Sequence, residues 1–221
     1  MHSKGFLVDI DGVFFPSEEA KVSHYDLVAQ EVCDEFGYVY ADFPPHPRGR
    51  PTSETLGEWV EEASGDEKEI RADLVKGFKP RYKKAKENIY DTIEPYAEAQ
   101  EFIEGLMTKG PVCLVTTVEK LFVGKLAARY DWFAKAAAHL VAHGDFEKGK
   151  PNPEPYLMAA RKIGLDPVLC FAVEDSGTGV CSALAAGVGQ VFHIHKWQDI
   201  PDDLKPQVTQ ITDLRDIFSY L

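Results

Sequence analysis

Apolar residues gather in short runs, and the segments between them repeat at helical spacing. Gly5-Phe6-Leu7-Val8-Asp9-Ile10 reads as a short buried strand closed by Asp11-Gly12, and similar runs occupy 112–115, 169–173 and 188–194. A further short strand is predicted over 139–142. Helical patterns fill 97–107, 120–129, 153–163 and 179–186. Strands that are apolar on both faces and alternate with helices predict a parallel, doubly wound α/β sheet with both faces covered. The stretch from about residue 16 to 91 breaks this rhythm. It holds no strand pattern and reads as amphipathic helices over 18–36, 52–63, 68–76 and 81–89. The segment from Asp42 to Pro51 carries four prolines and cannot continue a helix, so it reads as a stiff loop. The organisation expected is therefore an α/β core made of 1–15 and 92–221, with an all-helical cap domain, 16–91, inserted after the first strand.

Charge and composition narrow the partners. A chain of 221 residues can bury a real core. Its formal net charge of -12 argues against a nonspecific grip on nucleic acid, whose phosphates demand clustered cations. The basic cluster Lys79, Arg81, Lys83, Lys84 and Lys86 would spread around a helix and reads as a solvated face. No apolar run approaches the ~20 residues that cross a bilayer, and Met1 to Gly5 runs into a strand with no signal-peptide pattern. The four cysteines, 33, 113, 170 and 181, form no C-x-x-C pair and read as small packed hydrophobes. A cytoplasmic protein that binds no membrane, as monomer or weak homodimer, is the expectation.

Chemistry collects at the strand ends. Asp9 and Asp11 are two apart on the first strand, so both carboxylates project to one side at its carboxyl end, where open α/β sheets bind ligands. Glu174-Asp175 ends another strand with a second acidic pair, and one of the two points into the cleft unless the chain bends. Oxygen ligands of this kind, with no Cys or His beside them, describe a magnesium site. Thr116 and Thr117 close a third strand and could hold a phosphate oxygen or cap the next helix. Lys150 precedes a proline-led helix and could supply a fixed positive charge. A nucleophile, a metal site, a proton carrier and a cation together suit phosphoryl transfer.

These four segments, in this order, resemble the signature motifs of the haloacid dehalogenase superfamily, and most nearly its β-phosphoglucomutase-like and phosphoglycolate-phosphatase-like subgroup. The likeness is strongest over Gly149-Lys150-Pro151-Asn152-Pro153-Glu154-Pro155-Tyr156 and Val173-Glu174-Asp175-Ser176-Gly177-Thr178-Gly179-Val180. The resemblance implies a Rossmann-like core and a magnesium-dependent phosphatase acting on a small phosphorylated metabolite. Asp9 would attack phosphorus to form an aspartyl phosphate, and Asp11 would protonate the leaving alcohol and then activate water. Thr116 would bind a phosphoryl oxygen, and Lys150 would neutralise Asp9 and the phosphoryl group. Magnesium would be held by Asp9, the Asp11 carbonyl, Glu174 and Asp175. The dehalogenase branch lacks an Asp at position 11, so halide chemistry is not implied.

Phe14-Phe15-Pro16-Ser17 stands where many relatives carry Asp-Ser or Asp-Thr. Thr117, and from the cap Arg50 and His24, are candidates to contact substrate; Arg suits an anionic group on the leaving portion. A phosphomutase, which would pass the phosphoryl group to a sugar hydroxyl, is the alternative enzyme. A phosphate-binding domain without catalysis is the alternative outside enzymes.

Overall fold

The computed structural model describes residues 4–47, 52–194 and 200–221. The chain divides into two compact units, Ser17–Thr92 and Met1–Pro16 with Ile93–Leu221. The first is helical: α1 (Ser17–Phe36), α2 (Thr52–Glu61) and α3 (Asp66–Thr92). They close on an aromatic core in which Tyr25 lies 4.8 Å from Phe78 and Phe43 lies 5.1 Å from Trp59, ring centre to ring centre.

α3 corrects the expectation of two helices over 68–76 and 81–89, because it runs through Pro80 without a break. An internal proline costs about 3 kcal/mol. Leu74, Val75, Phe78 and Tyr82 keep one buried stripe on both sides of it. Each such side chain contributes roughly 1.5–3 kcal/mol by leaving water, so the stripe outweighs the interruption. The basic residues around Pro80 disperse as expected: Arg81 meets Glu35 at 2.5 Å, Lys84 meets Glu87 at 3.8 Å, and Lys86 lies over the Tyr82 ring. Trp59 is buried beneath Arg71, Trp132 is buried in the second unit, and Trp197 lies outside the described residues.

The second unit is built on six parallel strands: β1 (Gly5–Val8), β2 (Val112–Glu119), β3 (Leu140–His143), β4 (Cys170–Glu174), β5 (Gln190–Ile194) and β6 (Thr209–Ile211). Their order across the sheet is β3-β2-β1-β4-β5-β6, which places β1 at the centre. The helices are α4 (Ala99–Lys109), α5 (Lys120–Arg129), α6 (Asp131–Ala136), α7 (Glu154–Lys162) and α8 (Gly177–Ala185). This is a Rossmann-like sheet with flanking helices. Alternation of side chains along each strand gives it two buried faces. On one, Leu7, Cys113, Val115, Ala172 and Val191 pack with α7 and α8 through Tyr156, Ala159, Ala160, Val180 and Ala183. On the other, Phe6, Phe171, Phe192 and Tyr220 form a ladder of rings 5.3–5.9 Å apart.

β2 continues to Glu119, four residues beyond the apolar run 112–115 and past the two threonines read as closing it, and β6 and α6 carry no sequence prediction because each is too short to show a period. All four cysteines are free thiols; three are buried and Cys181 is half-buried. Burial pushes the Cys113 thiol up to about 12 and the Cys170 thiol up to about 11, so both sit as neutral packing groups. No helix among the described residues is long and apolar enough to cross a membrane.

Candidate active site

β1 delivers Asp9 just past its last residue, on the face that Leu7 shares with α7 and α8, and β4 delivers Glu174 on the same face as Ala172. Beyond Glu174 the chain bends, so Asp175 stays beside it instead of turning to the opposite face. Asp9, Glu174 and Asp175 each place a carboxylate oxygen within 4.8 Å of the others, all three buried. Gly12 allows this approach. It adopts φ +75°, and a Cβ there would fall 1.8 Å from Asp175 Oδ2. The turn is tied by Gly12 N–H to the Phe15 carbonyl at 2.8 Å and Phe14 N–H to the Ile10 carbonyl at 2.9 Å, and it keeps Asp11 buried beside Asp9.

Lys150 joins the two strands. Its ammonium donates to Asp9 Oδ1 at 2.5 Å, Glu174 Oε1 at 2.5 Å and the Val115 carbonyl at 3.0 Å. A lysine has three N–H donors, and all three are used. The loop that carries it is fixed from both sides. Glu154 accepts the Glu147 and Lys148 amides at 2.9 and 3.0 Å, and Ser182 donates to the Asn152 carbonyl at 2.5 Å. Burial alone would lower the lysine's pKa, but the Asp9 and Glu174 charges more than offset it and hold the ammonium protonated. Burial raises the Asp9 carboxyl well above its ordinary value; Lys150 pulls it back, while Glu174 and Asp11 add to the rise.

Among the described residues, the buried carboxylates of Asp9, Glu174 and Asp175, with Asp11 beside them, outnumber the Lys150 ammonium, an imbalance that a cation would offset. The donors are all hard oxygens, which suits Mg²⁺ or a similar ion. Glu174 stands apart from the other two. Its Oε1 receives both Lys150 and the Tyr156 hydroxyl, the latter at 2.5 Å, and its Oε2 receives Ser176 Oγ at 3.1 Å. Asp9 and Asp175 therefore have the carboxylate oxygens better placed to meet a cation.

Thr116 is buried, but it is not the helix cap considered from sequence: α5 starts at Lys120 with Glu119 before it. Its Oγ1 instead accepts the Val118 amide at 3.1 Å, inside the extended β2. Thr117 is exposed. His24 lies in the helical unit, where Nδ1 donates to the Ala20 carbonyl at 2.8 Å within its own helix. Arg50 lies outside the described residues. The structure thus brings together Asp9, Asp11, Lys150, Glu174 and Asp175. Sequence reasoning assigned no role to Tyr156 or Ser176, although both lie in the motif stretches.

Comparison with known proteins gives this arrangement its context. Over 193 residues the chain is 25% identical to a phosphorylated carbohydrates phosphatase of Thermotoga maritima, covering 85% of this chain and 83% of that protein. Over 98 residues, 44% of this chain, it is 30% identical to a bifunctional riboflavin kinase/FMN phosphatase of Arabidopsis thaliana. The chain spans about a quarter of the length of that second relative. A solved structure described as a predicted phosphoglycolate phosphatase from Haemophilus somnus 129pt superposes with a TM-score of 0.75 at 17% identity. That match covers 100% of this chain and 98% of that one, and so speaks for the fold. A family model described as haloacid dehalogenase-like hydrolase matches residues 3–187, the span that holds every member of the buried carboxylate–lysine cluster. The chain belongs to the haloacid dehalogenase-like hydrolases.

Proposed function

We propose that this protein is a magnesium-dependent phosphatase that hydrolyses a small phosphomonoester through an aspartyl phosphate on Asp9. The observation that carries the reading is the Lys150–Asp9 contact of 2.5 Å inside a buried set of carboxylates. A carboxylate in water is a weak nucleophile toward a dianionic ester. Here it is desolvated, oriented through one oxygen and paired with a fixed cation.

In the first step an Asp9 oxygen bonds to phosphorus as the ester P–O bond breaks, and Asp11 gives its proton to the departing alkoxide. In the second, Asp11 takes a proton from water, the water oxygen bonds to phosphorus, and the bond to Asp9 breaks to release phosphate. Lys150 holds Asp9 in line and offsets charge as it spreads over the phosphoryl oxygens. Thr116 is assigned to one of those oxygens, with Thr117 toward the rest of the substrate. Asp9, Asp175 and the Asp11 carbonyl would hold Mg²⁺, with Glu174 beside them; the ion supplies positive charge where two anions must meet. The name of the Thermotoga relative supports a phosphorylated carbohydrate as the substrate class.

The test is phosphate release from a panel of small phosphomonoesters, with and without Mg²⁺, by wild type and Asp9→Asn. Mg²⁺-dependent turnover that disappears in the variant is expected. Transfer to a sugar hydroxyl without free phosphate would replace hydrolysis by mutase chemistry. No reaction with any ester would remove the reading.

A further inference from the structure

We propose that Tyr156 is a positioning residue for this reaction: its hydroxyl fixes Glu174, and through Glu174 it fixes the Lys150 ammonium against Asp9. The inference rests on the phosphatase reading for its consequence, but its geometry stands apart from that reading.

The ring of Tyr156 is fully buried among Leu7, Cys113, Val115 and Ala159, at the start of α7. A ring packed on every side holds its hydroxyl at one place, because only two side-chain torsions are left to vary and both are set by the core. Glu174 is different in kind. Its longer side chain would not keep one conformation unaided, and it is a fully buried charge. Tyr156 and Ser176 donate to its two oxygens at 2.5 and 3.1 Å and leave Lys150 as the remaining donor on Oε1. The tyrosine hydroxyl is thus the neutral donor, anchored in the core, that sets where Oε1 lies.

Lys150 transmits that position. With all three N–H groups committed, the ammonium cannot reorient without giving up a bond. A shift of Glu174 Oε1 moves the lysine, and the lysine's bond to Asp9 Oδ1 moves with it. Nucleophile alignment is steeply sensitive to such displacements. Tyr156 touches neither Asp9 nor the reacting phosphoryl group in this scheme; it acts through its neighbours.

Tyr156→Phe isolates the hydroxyl. The ring, its packing and the Lys150 ammonium over its face, 5.3 Å from the centroid, are all retained. Two measurements on the whole chain decide the matter, with a thermal melt confirming that the variant is folded. One is the kcat and KM of phosphate release in Mg²⁺. The other is the ¹H–¹⁵N signal of the Lys150 ammonium in metal-free protein, assigned by its loss in Lys150→Arg. Supporting partners that orient active groups are worth roughly ten- to a hundredfold in activity. The expected result is a fall in kcat of that size, KM within about twofold, and an ammonium signal that shifts and exchanges faster. A wild-type kcat overturns the proposal whatever the signal does. A lower kcat with an unmoved ammonium signal overturns the route through Lys150. If wild type releases no phosphate from any ester, the phosphatase reading fails by itself. The ammonium signal then decides the positioning alone: movement supports it and constancy overturns it.

Discussion

Gly179 lies directly against the carboxylate of Glu174: a Cβ on Gly179 would sit 2.0 Å from the carboxyl carbon and from Oε2. Gly179 stands in the first turn of α8, where its amide donates to Ser176 Oγ at 3.1 Å, and the same Oγ donates to Glu174 Oε2. The glycine is there to leave room for a buried charge, since its backbone is ordinary helix.

Two effects of opposite sign therefore compete in Gly179→Ala. Helix propensity favours alanine by about 1 kcal/mol. Overpacking a closed interior costs about 1–3 kcal/mol, and here the atom displaced is a carboxylate oxygen with its partners already set. We expect Gly179→Ala to lose stability by up to about 2 kcal/mol net, with activity reduced as Glu174 is displaced. Urea unfolding gives the sign, and a more stable variant would show that Glu174 has room to move.

The same contact shows what could be read before any coordinates. Asp9, Asp11, Lys150 and the Glu174–Asp175 pair were legible because each sits at the end of an apolar run or beside a Pro-rich turn. The strand period then says that they converge. Their division of labour was not legible. Adjacent acids at a strand end look alike in a sequence, and only the bend after Glu174 and the approach of Tyr156 from α7 separate a hydrogen-bonded carboxylate from a ligand. Tyr156 carries no sequence signal of its role, because the hydroxyl's partner is 18 residues away. Pro80 misled for a related reason. Its local penalty is visible in sequence, whereas the stripe that outweighs it becomes evident once α3 packs. Thr116 and Thr117 read either as a strand end or as a helix start, so the sequence alone does not place the end of β2.

Thr116 offers a second prediction. Its hydroxyl accepts the Val118 amide in a site where both residues are buried. Thr116→Val keeps the shape and orphans that N–H, which costs about 1–3 kcal/mol. Thr116→Ser keeps the acceptor and should recover most of the loss. Chemical denaturation of the pair checks this. Activity should follow the hydroxyl as well, low in the valine variant and largely restored in the serine variant. Equal stability of all three proteins would mean that the bond contributes nothing.

Asp145 supplies a pH dependence away from the buried carboxylate cluster. Partial burial would raise its carboxyl, but the pairing with Lys120 and the Ala142 amide it accepts at 3.1 Å outweigh that and hold it below the ordinary carboxylate range. A carboxylate depressed on folding adds stability that is present above its unfolded value, near pH 4, and is lost as pH falls through the lower folded value. Asp145→Asn should therefore destabilise at pH 7 by about 1 kcal/mol and converge with wild type as acid is added. Denaturation curves at pH 7 and near pH 3 make the comparison. A difference that persists unchanged in acid would assign the effect to packing.

Magnesium gives the sharpest contrast, because the same substitution should act in opposite directions with and without it. In metal-free protein Asp175 adds a buried negative charge beside Asp9 and Glu174, which share Lys150. Asp175→Asn removes that repulsion while keeping a similar shape, so the metal-free variant should be at least as stable as wild type. Added Mg²⁺ reverses the order. A ligand bound only by the folded state at a hundred times its Kd adds about 2.7 kcal/mol, and wild type should gain an increment of this kind that the variant largely lacks. Thermal melts of both proteins, with EDTA and with a Mg²⁺ titration, test the crossing. Parallel gains in the two proteins would place the metal elsewhere, and a variant already less stable in EDTA would show that Asp175 serves the turn more than the ion.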